Sequence, residues 1–147
     1  MQAIIFDLDH TVFAAEYAPH DGVTDLLAIL KRLGFRIGAL TSGDHRMLVR
    51  LDETGISRHF DAVLCTDHLD DPKHPDGVRQ ILAELRTEPH HAVLVSHAHS
   101  DIAIGRQVGI AKTIRVTHGR TTPSVAHLGD ADHVIDDIPS ILDVIHA

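Results

Sequence analysis

Tryptophan is absent from the sequence, tyrosine occurs once and phenylalanine four times, so aromatic residues make up only 3% of the 147 residues. The core must therefore be built from leucine, isoleucine, valine and alanine. A single cysteine, Cys65, excludes an internal disulfide and suits a reducing compartment. No apolar run approaches the ~20 residues of a membrane span, and the N-terminus does not resemble a secretory signal. We therefore expect a cytoplasmic protein without membrane contact.

Positive charge is also scarce: the sequence has 13 Lys and Arg residues and 21 Asp and Glu residues, which gives a formal net charge of -8. This surface argues against nucleic acid or anionic lipid as a partner, since phosphate contacts need clustered Lys and Arg. An anionic substrate would need a local positive centre, such as a metal ion or a few placed cations. The 14 histidines are scattered, and we interpret most of them as surface residues.

Short apolar runs alternate with amphipathic stretches along the whole chain. The pattern predicts strands at 3–6, 35–40, 62–65, 92–96, 113–116 and 133–135. It predicts helices at 23–33, 44–53, 76–85, 100–108 and 139–145, with Asp44 as an N-cap. The order indicates an α/β fold, a three-layer α/β/α Rossmann-like domain with a central, mostly parallel sheet of five to six strands. We expect residues 1–147 to form one domain.

Two aspartates, Asp7 and Asp9, follow the most hydrophobic strand directly. Ligands bind beyond the carboxyl ends of strands in such sheets, and alternation along an extended chain directs both side chains the same way. Neighbouring carboxylates repel each other, so the pair indicates either a bound cation or a division of labour between nucleophile and acid/base. An ordinary aspartate turn is the alternative.

The wider sequence resembles the haloacid dehalogenase superfamily, which consists mostly of phosphatases. The string IIFDLDHT resembles its DxDxT motif, and IGALTSG resembles its second motif, an apolar strand that ends in Thr or Ser. AVLVSHAHSDI resembles the fourth motif, while GIAKTIRVTHG and ADHVIDDIPSILDVI resemble the closing segments. The likeness covers essentially the whole chain, and the order and spacing of the motifs make it more specific than any single one.

The resemblance implies a phosphomonoester hydrolase that works through an aspartyl-phosphate. Asp7 would be the nucleophile, Asp9 the general acid/base, and Thr41 a hydrogen-bond donor to the phosphoryl oxygens. Thr11 would help to hold the loop. The resemblance also implies that Thr11, together with Ser42 and Gly43, binds the phosphate of the substrate.

The third motif of the family supplies a lysine, and Lys73 is the lysine in a suitable loop. Its spacing to Pro75 and Asp76 is one residue shorter than the family pattern. Lys31 and Lys112 fall on or next to predicted elements elsewhere. An ordinary exposed lysine is the alternative reading of Lys73.

The fourth motif contains the largest departure from the family pattern. Ser96 stands where glycine is usual, His97 stands where the family has a metal-binding aspartate, and Asp101 keeps the second acidic position. The resemblance implies a Mg²⁺ site made from Asp7, Asp9 and Asp101, although Mg²⁺ is poorly served by imidazole. Three outcomes stay open. Asp101 completes a weaker Mg²⁺ site; or His97, alone or with His99, shifts the preference to Mn²⁺, zinc or another divalent metal; or the site is metal-poor, with slow or no catalysis.

Many family members carry a cap domain after the first or second motif, and neither gap has room for one here. The chain therefore resembles a capless member, similar in its flanking segments to phosphoglycolate phosphatase-type hydrolases without the cap. Water exclusion would then depend on residues 10–21, on another subunit or on a large substrate. We expect a phosphorylated small molecule or macromolecule as the partner, and homo-oligomerisation as a means of covering Phe13 and Tyr17. A loop packed on its own domain is the alternative. The alternative functions are an inactive binding or regulatory module and, less well supported, a receiver-type domain that uses Asp67.

Overall fold

A computed structural model describes residues 2–14, 18–41, 45–66, 75–119 and 131–146. Its six strands form one sheet in the order β3-β2-β1-β4-β5-β6, and all neighbouring strands are parallel. This arrangement confirms the predicted α/β class and parallel sheet. The strands are β1 (Ala3–Asp7), β2 (Arg36–Thr41), β3 (Ala62–Cys65), β4 (Ala92–Ser96), β5 (Lys112–Val116) and β6 (His133–Ile135).

Helices connect most of these parallel strands, as crossovers must. The first helix, α1, buries Val23, Leu26, Leu27 and Leu30 on one stripe, and its last turn carries Lys31 and Arg32, which favour the negative end of the helix dipole. The helices are α1 (Val23–Arg32), α2 (His45–Thr54), α3 (Pro75–Glu84), α4 (His99–Val108) and α5 (Ile141–Val144). No helix within the described ranges is long and apolar enough to cross a bilayer.

The sheet is covered on both faces, which is why its central strands consist of apolar residues throughout. Along β1, Ile4 and Phe6 join a core cluster with α1, α2 and α5, while Ala3 and Ile5 join a second cluster with α3. Alternating side chains of one strand therefore fill two separate cores. Asp7 follows this alternation on the face that carries Ala3 and Ile5.

Three boundaries differ from the sequence-based prediction in ways that matter for the site. Asp7 and Thr41 are the last residues of β1 and β2 rather than loop residues, because the parallel pairing continues through the register pair Asp7–Leu40. The predicted helix 139–145 is divided into a 3₁₀ turn, Ile138–Ser140, and the short α5. Asp137 caps the 3₁₀ turn, since its Oδ1 accepts a hydrogen bond from the Ser140 N–H at 2.9 Å.

The connections at the carboxyl edge of the sheet are short. Residues 8–22 join β1 to α1, and residues 66–74 join β3 to α3. Neither connection is long enough to hold an inserted domain, as the sequence predicts. Phe13 belongs to the first core cluster and is fully buried. The expectation that Phe13 gives this loop an exposed apolar surface is therefore wrong, because its ring packs inside its own domain; Tyr17 lies outside the described residues.

Candidate active site

Three neighbouring strands end in polar side chains at the same edge of the sheet. Asp7 ends β1 and is 5% exposed, Thr41 ends β2 and is 1% exposed, and Ser96 ends β4 and is fully buried. Because β1 lies between β2 and β4, a strand with a polar last residue lies on each side of it, although the β2 residue directly beside Asp7 is Leu40. We call this polar carboxyl edge of the sheet the crevice, because α/β sheets bind ligands there.

The carboxylate of Asp7 is held on the β4 side of this crevice. Its Oδ2 lies 3.2 Å from Thr11 Oγ1, 3.4 Å from Ser96 Oγ and 3.3 Å from His97 Nδ1. The Thr11 hydroxyl is placed to donate to this carboxylate, whereas the single hydroxyl proton of Ser96 goes either to Asp7 or to Asp101, which lies nearer at 2.7 Å. This arrangement fixes the orientation of Asp7 in a nearly water-free position, which is the preorganisation that a nucleophile needs.

Thr11 joins the loop after β1 to the loop after β4. Its hydroxyl accepts a hydrogen bond from the His97 backbone N–H at 3.0 Å and also lies 3.1 Å from His97 Nδ1. The carbonyl of Thr11 lies 2.9 Å from Nε2 of His118. Thr11 is fully buried. Thr11 therefore contacts both loops, and its predicted roles in holding the loop and in binding substrate stay predictions.

Asp9 lies on the opposite, β2 side of the crevice. Its Oδ2 accepts a hydrogen bond from Thr41 Oγ1 at 3.0 Å, and the residue is only half-buried. The extended strand ends at Asp7, and His10 has a φ of 61°. The two acids therefore face different walls, so the simple alternation argument does not describe the turn that carries Asp9.

Asp101 reaches the site through Ser96 rather than directly. Ser96 Oγ lies 2.7 Å from Asp101 Oδ2 and accepts a hydrogen bond from the Ala98 backbone N–H at 3.2 Å. The sequence pattern identified Ser96 only as a departure from glycine and missed its role. A buried hydroxyl at the end of a strand between two acids was the signal that could have found it.

The predicted metal ligands are only partly brought together. His97 lies against Asp7, Asp101 is linked to Asp7 through Ser96, and Asp9 is held by Thr41. Among the described residues, no three His, Cys, Asp or Glu side chains are grouped so that they could hold a metal ion. The predicted site residues Lys73, Ser42 and Gly43 lie outside the described residues, as do the predicted N-cap Asp44 and the alternative phosphoacceptor Asp67.

Histidines gather around the crevice, although the sequence gave no spacing signal for this. The ring of His10 packs edge-on against His97 with centroids 5.6 Å apart. His20 and His118 stack with centroids 3.6 Å apart at an interplanar angle of 10°. These residues come from separate loops that converge only in the folded sheet, which explains why composition alone made them look scattered.

The family of the chain follows from its similarity to known proteins. A family model for haloacid dehalogenase-like hydrolases matches residues 2–109, so the chain belongs to this family. It is 31% identical over 102 residues to pyrophosphatase PpaX of Bacillus pumilus, an alignment that covers 68% of the chain. It is 30% identical over 132 residues to N-acetylmuramic acid 6-phosphate phosphatase of Pseudomonas aeruginosa, covering 86% of the chain. The chain spans 46% and 57% of the lengths of these two relatives.

Solved structures show the same fold at lower sequence identity. A HAD phosphatase from Thermococcus onnurineus superimposes with a TM-score of 0.85 at 16% identity, over 99% of this chain and 98% of that one. The L-2-haloacid dehalogenase from Xanthobacter autotrophicus superimposes with a TM-score of 0.79 at 14% identity, over 100% and 99% of the two chains. These likenesses establish the Rossmann-like architecture of the family and carry no statement about the reaction.

Proposed function

We propose that the chain is a phosphomonoester hydrolase that works through an aspartyl-phosphate on Asp7. The observation that carries the proposal is that Asp7 and Asp9 both follow or end β1 at the carboxyl edge, where Thr11 donates to Asp7 and Thr41 donates to Asp9. Similarity to two phosphate-releasing hydrolases supports the same reaction class. The substrate is a phosphorylated small molecule or a phosphorylated macromolecule, and a homo-oligomer stays part of the proposal.

The reaction takes two displacements at phosphorus. In the first, a carboxylate oxygen of Asp7 forms a bond to phosphorus while the ester P–O bond breaks, and protonated Asp9 gives its proton to the leaving alkoxide. In the second, the Asp9 carboxylate takes a proton from water, whose oxygen attacks phosphorus and releases Asp7 and inorganic phosphate. Thr41, at hydrogen-bond distance from Asp9, orients that carboxyl group in both steps.

A resident Mg²⁺ ion does not fit the side chains as they are arranged. The carboxylates have the right chemistry, but Asp101 accepts a hydrogen bond from Ser96, and the His97 ring lies against the Asp7 oxygen. A near-octahedral oxygen shell would require these groups to rearrange. The requirement for Mg²⁺, or for Mn²⁺ as the alternative, stays a prediction, and no step above depends on it.

A catalytically weakened or inactive binding module is the second candidate. The contact between His97 Nδ1 and Asp7 Oδ2 favours it, because an imidazole 3.3 Å from the nucleophile occupies space that the incoming phosphoryl group needs. The lost carboxylate at this position also removes one negative ligand from any cation. This candidate retains a phosphorylated ligand without turning it over.

Release of phosphate from p-nitrophenyl phosphate separates the two candidates. We expect turnover by the unaltered chain in the presence of Mg²⁺ or Mn²⁺, and its loss in Asp7→Asn. Asp52→Asn is the matched control, because it makes the same chemical change at an exposed position on α2. If no turnover occurs with either metal and a phosphorylated ligand still binds, the hydrolase proposal fails and the binding module gains.

A further inference from the structure

Arg115 is an arginine buried in the middle of β5. It is 2% exposed and is the largest fully buried side chain of the described chain. Its Nε and Nη2 atoms are inaccessible to solvent and have no hydrogen-bond partner within the described part of the structure. Burying two unpaired guanidinium nitrogens is costly, and an anion beside them would lower that cost.

The position of Arg115 places it in line with the active-site crevice. Ser96 is the register partner of Arg115 in the β4–β5 ladder, and Ser96 in turn lies beside Asp7 across the β1–β4 ladder. The three residues therefore form one row across three adjacent strands. With neighbouring strands about 4.8 Å apart, the backbones of Asp7 and Arg115 are about 10 Å apart.

Helix α4 covers the same row. A Cβ atom at Gly105 would lie 2.6 Å from Leu94 and 3.5 Å from Thr113, so the helix packs directly over this register pair. Ser96 and Arg115 each follow this pair by two residues on their strands, towards the carboxyl edge. Helix α4 begins at that edge and runs antiparallel to the strands. The first turn of α4 therefore lies above Arg115, which agrees with the hydrogen bond from Ser96 to Asp101.

The first turn of α4 supplies N–H donors as a second feature, while its acidic residue, Asp101, accepts a hydrogen bond from Ser96. The helix has ten residues, and its N-cap, Ala98, is extended and makes no side-chain capping hydrogen bond. Helix N-termini present backbone N–H donors and the positive end of the helix dipole. A guanidinium group below this turn adds a full positive charge. Residues 97–99 are half-buried, so an anion has access from the carboxyl edge.

We propose that Arg115 and the first turn of α4 bind a small oxyanion, a phosphate or carboxylate group, next to Asp7 but separated from it by Ser96. The site requires no turnover, so it goes beyond the proposed hydrolase function. Its ligand is either a free anion or the second anionic group of a substrate. In both cases the guanidinium gains the charged partner that the described residues do not provide.

Thermal unfolding during a titration with inorganic phosphate at constant ionic strength tests the site. A ligand that binds only the folded state raises the unfolding temperature with its concentration. We expect this rise for the unaltered chain and its loss in Arg115→Met, which is at least as stable in phosphate-free buffer because an unpaired buried charge is removed. Arg79→Met, at an exposed position on α3, is the matched control and keeps the rise.

Equal rises for Arg115→Met and the unaltered chain overturn the proposal, as does the lack of any rise with phosphate or acetate. If Arg115→Met does not fold, Arg115→Lys replaces it. We expect this variant to need at least about tenfold more phosphate for the same rise in unfolding temperature, because one ammonium group cannot make the forked contact of a guanidinium. Acetate and phosphate, titrated separately, identify the preferred oxyanion.

The double variant Asp7→Asn/Thr41→Val separates this site from the proposed phosphoryl site. We expect the Arg115-dependent rise to persist in it although turnover is lost. The rise in unfolding temperature with phosphate could instead disappear in the double variant and persist in Arg115→Met. That result would place the anion in the crevice and overturn only the present inference. An Arg115-dependent rise in a chain that never releases phosphate overturns only the hydrolase.

Discussion

Nδ1 of His97 lies 3.3 Å from Oδ2 of Asp7, so the imidazole meets the carboxylate where the family pattern has a metal-binding aspartate. Thr11 stabilises this contact, because its hydroxyl accepts a hydrogen bond from the His97 backbone N–H and donates one to Asp7 Oδ2. The ring is therefore part of a connected polar network. Substitution at His97 tests whether this network replaces a cation or merely blocks one.

We expect His97→Asp to bind Mg²⁺ at least about tenfold more tightly than the unaltered chain, which corresponds to about 1.4 kcal/mol. An added carboxylate supplies a negatively charged oxygen ligand beside Asp7. Without metal, the same variant should unfold at a lower temperature, because two carboxylates are forced together. Calorimetric titration and thermal unfolding measure both effects.

His90→Asp is the control for this experiment, since His90 is exposed and precedes β4 at the opposite end of the sheet. It should change neither Mg²⁺ affinity nor the metal-dependent unfolding temperature. Unchanged Mg²⁺ binding by His97→Asp would show that the crevice cannot be made into a magnesium site by restoring the family residue.

We expect Thr11→Val to lower the free energy of unfolding by about 1–3 kcal/mol, the cost of leaving buried polar partners unsatisfied. The lost contacts are those to Asp7 Oδ2 and to the His97 N–H. Phosphate release should fall as well, because the nucleophile loses an orienting donor. Urea denaturation and kcat measure the two effects.

Thr11→Ser is the matched variant, since it keeps the hydroxyl and removes only a methyl group. Its activity should stay close to that of the unaltered chain. If Thr11→Val and Thr11→Ser lose activity equally, the methyl group and its packing matter rather than the hydrogen bonds.

The parallel sheet could be predicted because each strand is a short apolar run bounded by polar residues or turns. The strands at 62–65, 92–96 and 133–135 have the same bounds in the structure. The sequence pattern predicts Asp7 and Thr41 just outside their strands, because a polar side chain ends an apolar run. Backbone pairing does not depend on the side chain, so β1 and β2 continue through them.

The site was predictable only where one segment carries several of its residues. Asp7, Asp9 and Thr11 stand in a single motif, whereas Ser96 acquires its role from strands that are distant in sequence. Arg115 lies in a run that reads simply as a buried strand, and nothing local distinguishes its environment. Its significance comes from the register that aligns it with Ser96.

Asp61 gives a prediction for pH dependence away from the crevice. Burial raises the pKa of its carboxyl group, but hydrogen bonds from Lys31 and from the Ile37 N–H outweigh burial and lower the pKa below 3.8. Lys31 Nζ lies 2.6 Å from Oδ2, and the Ile37 N–H lies 2.8 Å from the same oxygen. The carboxylate thus joins α1 to the start of β2.

A lowered pKa in the folded state contributes stability above the unfolded pKa, and this contribution is lost as the pH falls through the folded value. We expect Asp61→Asn to be less stable than the unaltered chain at pH 7, with a difference that shrinks below about pH 4. Urea midpoints at several pH values measure it. A difference that grows on acidification would contradict the assignment.

Asp9→Asn distinguishes the acid role of Asp9 from its base role. p-Nitrophenolate can leave without being protonated, whereas the alkoxide of an alkyl phosphate needs a proton from the acid. Loss of the acid should therefore slow the first step by about 10²–10⁴-fold for alkyl phosphates and much less for p-nitrophenyl phosphate. Loss of the base slows attack by water in both cases. The variant should therefore release p-nitrophenolate in a burst of about one equivalent and then turn over slowly, because the phosphoryl group stays on Asp7. Thr41→Val, which removes the 3.0 Å contact to Asp9, should show a smaller version of the same burst. Equal slowing of both substrates by Asp9→Asn, without a burst, would assign Asp9 a positioning role and leave the proton transfer to another group.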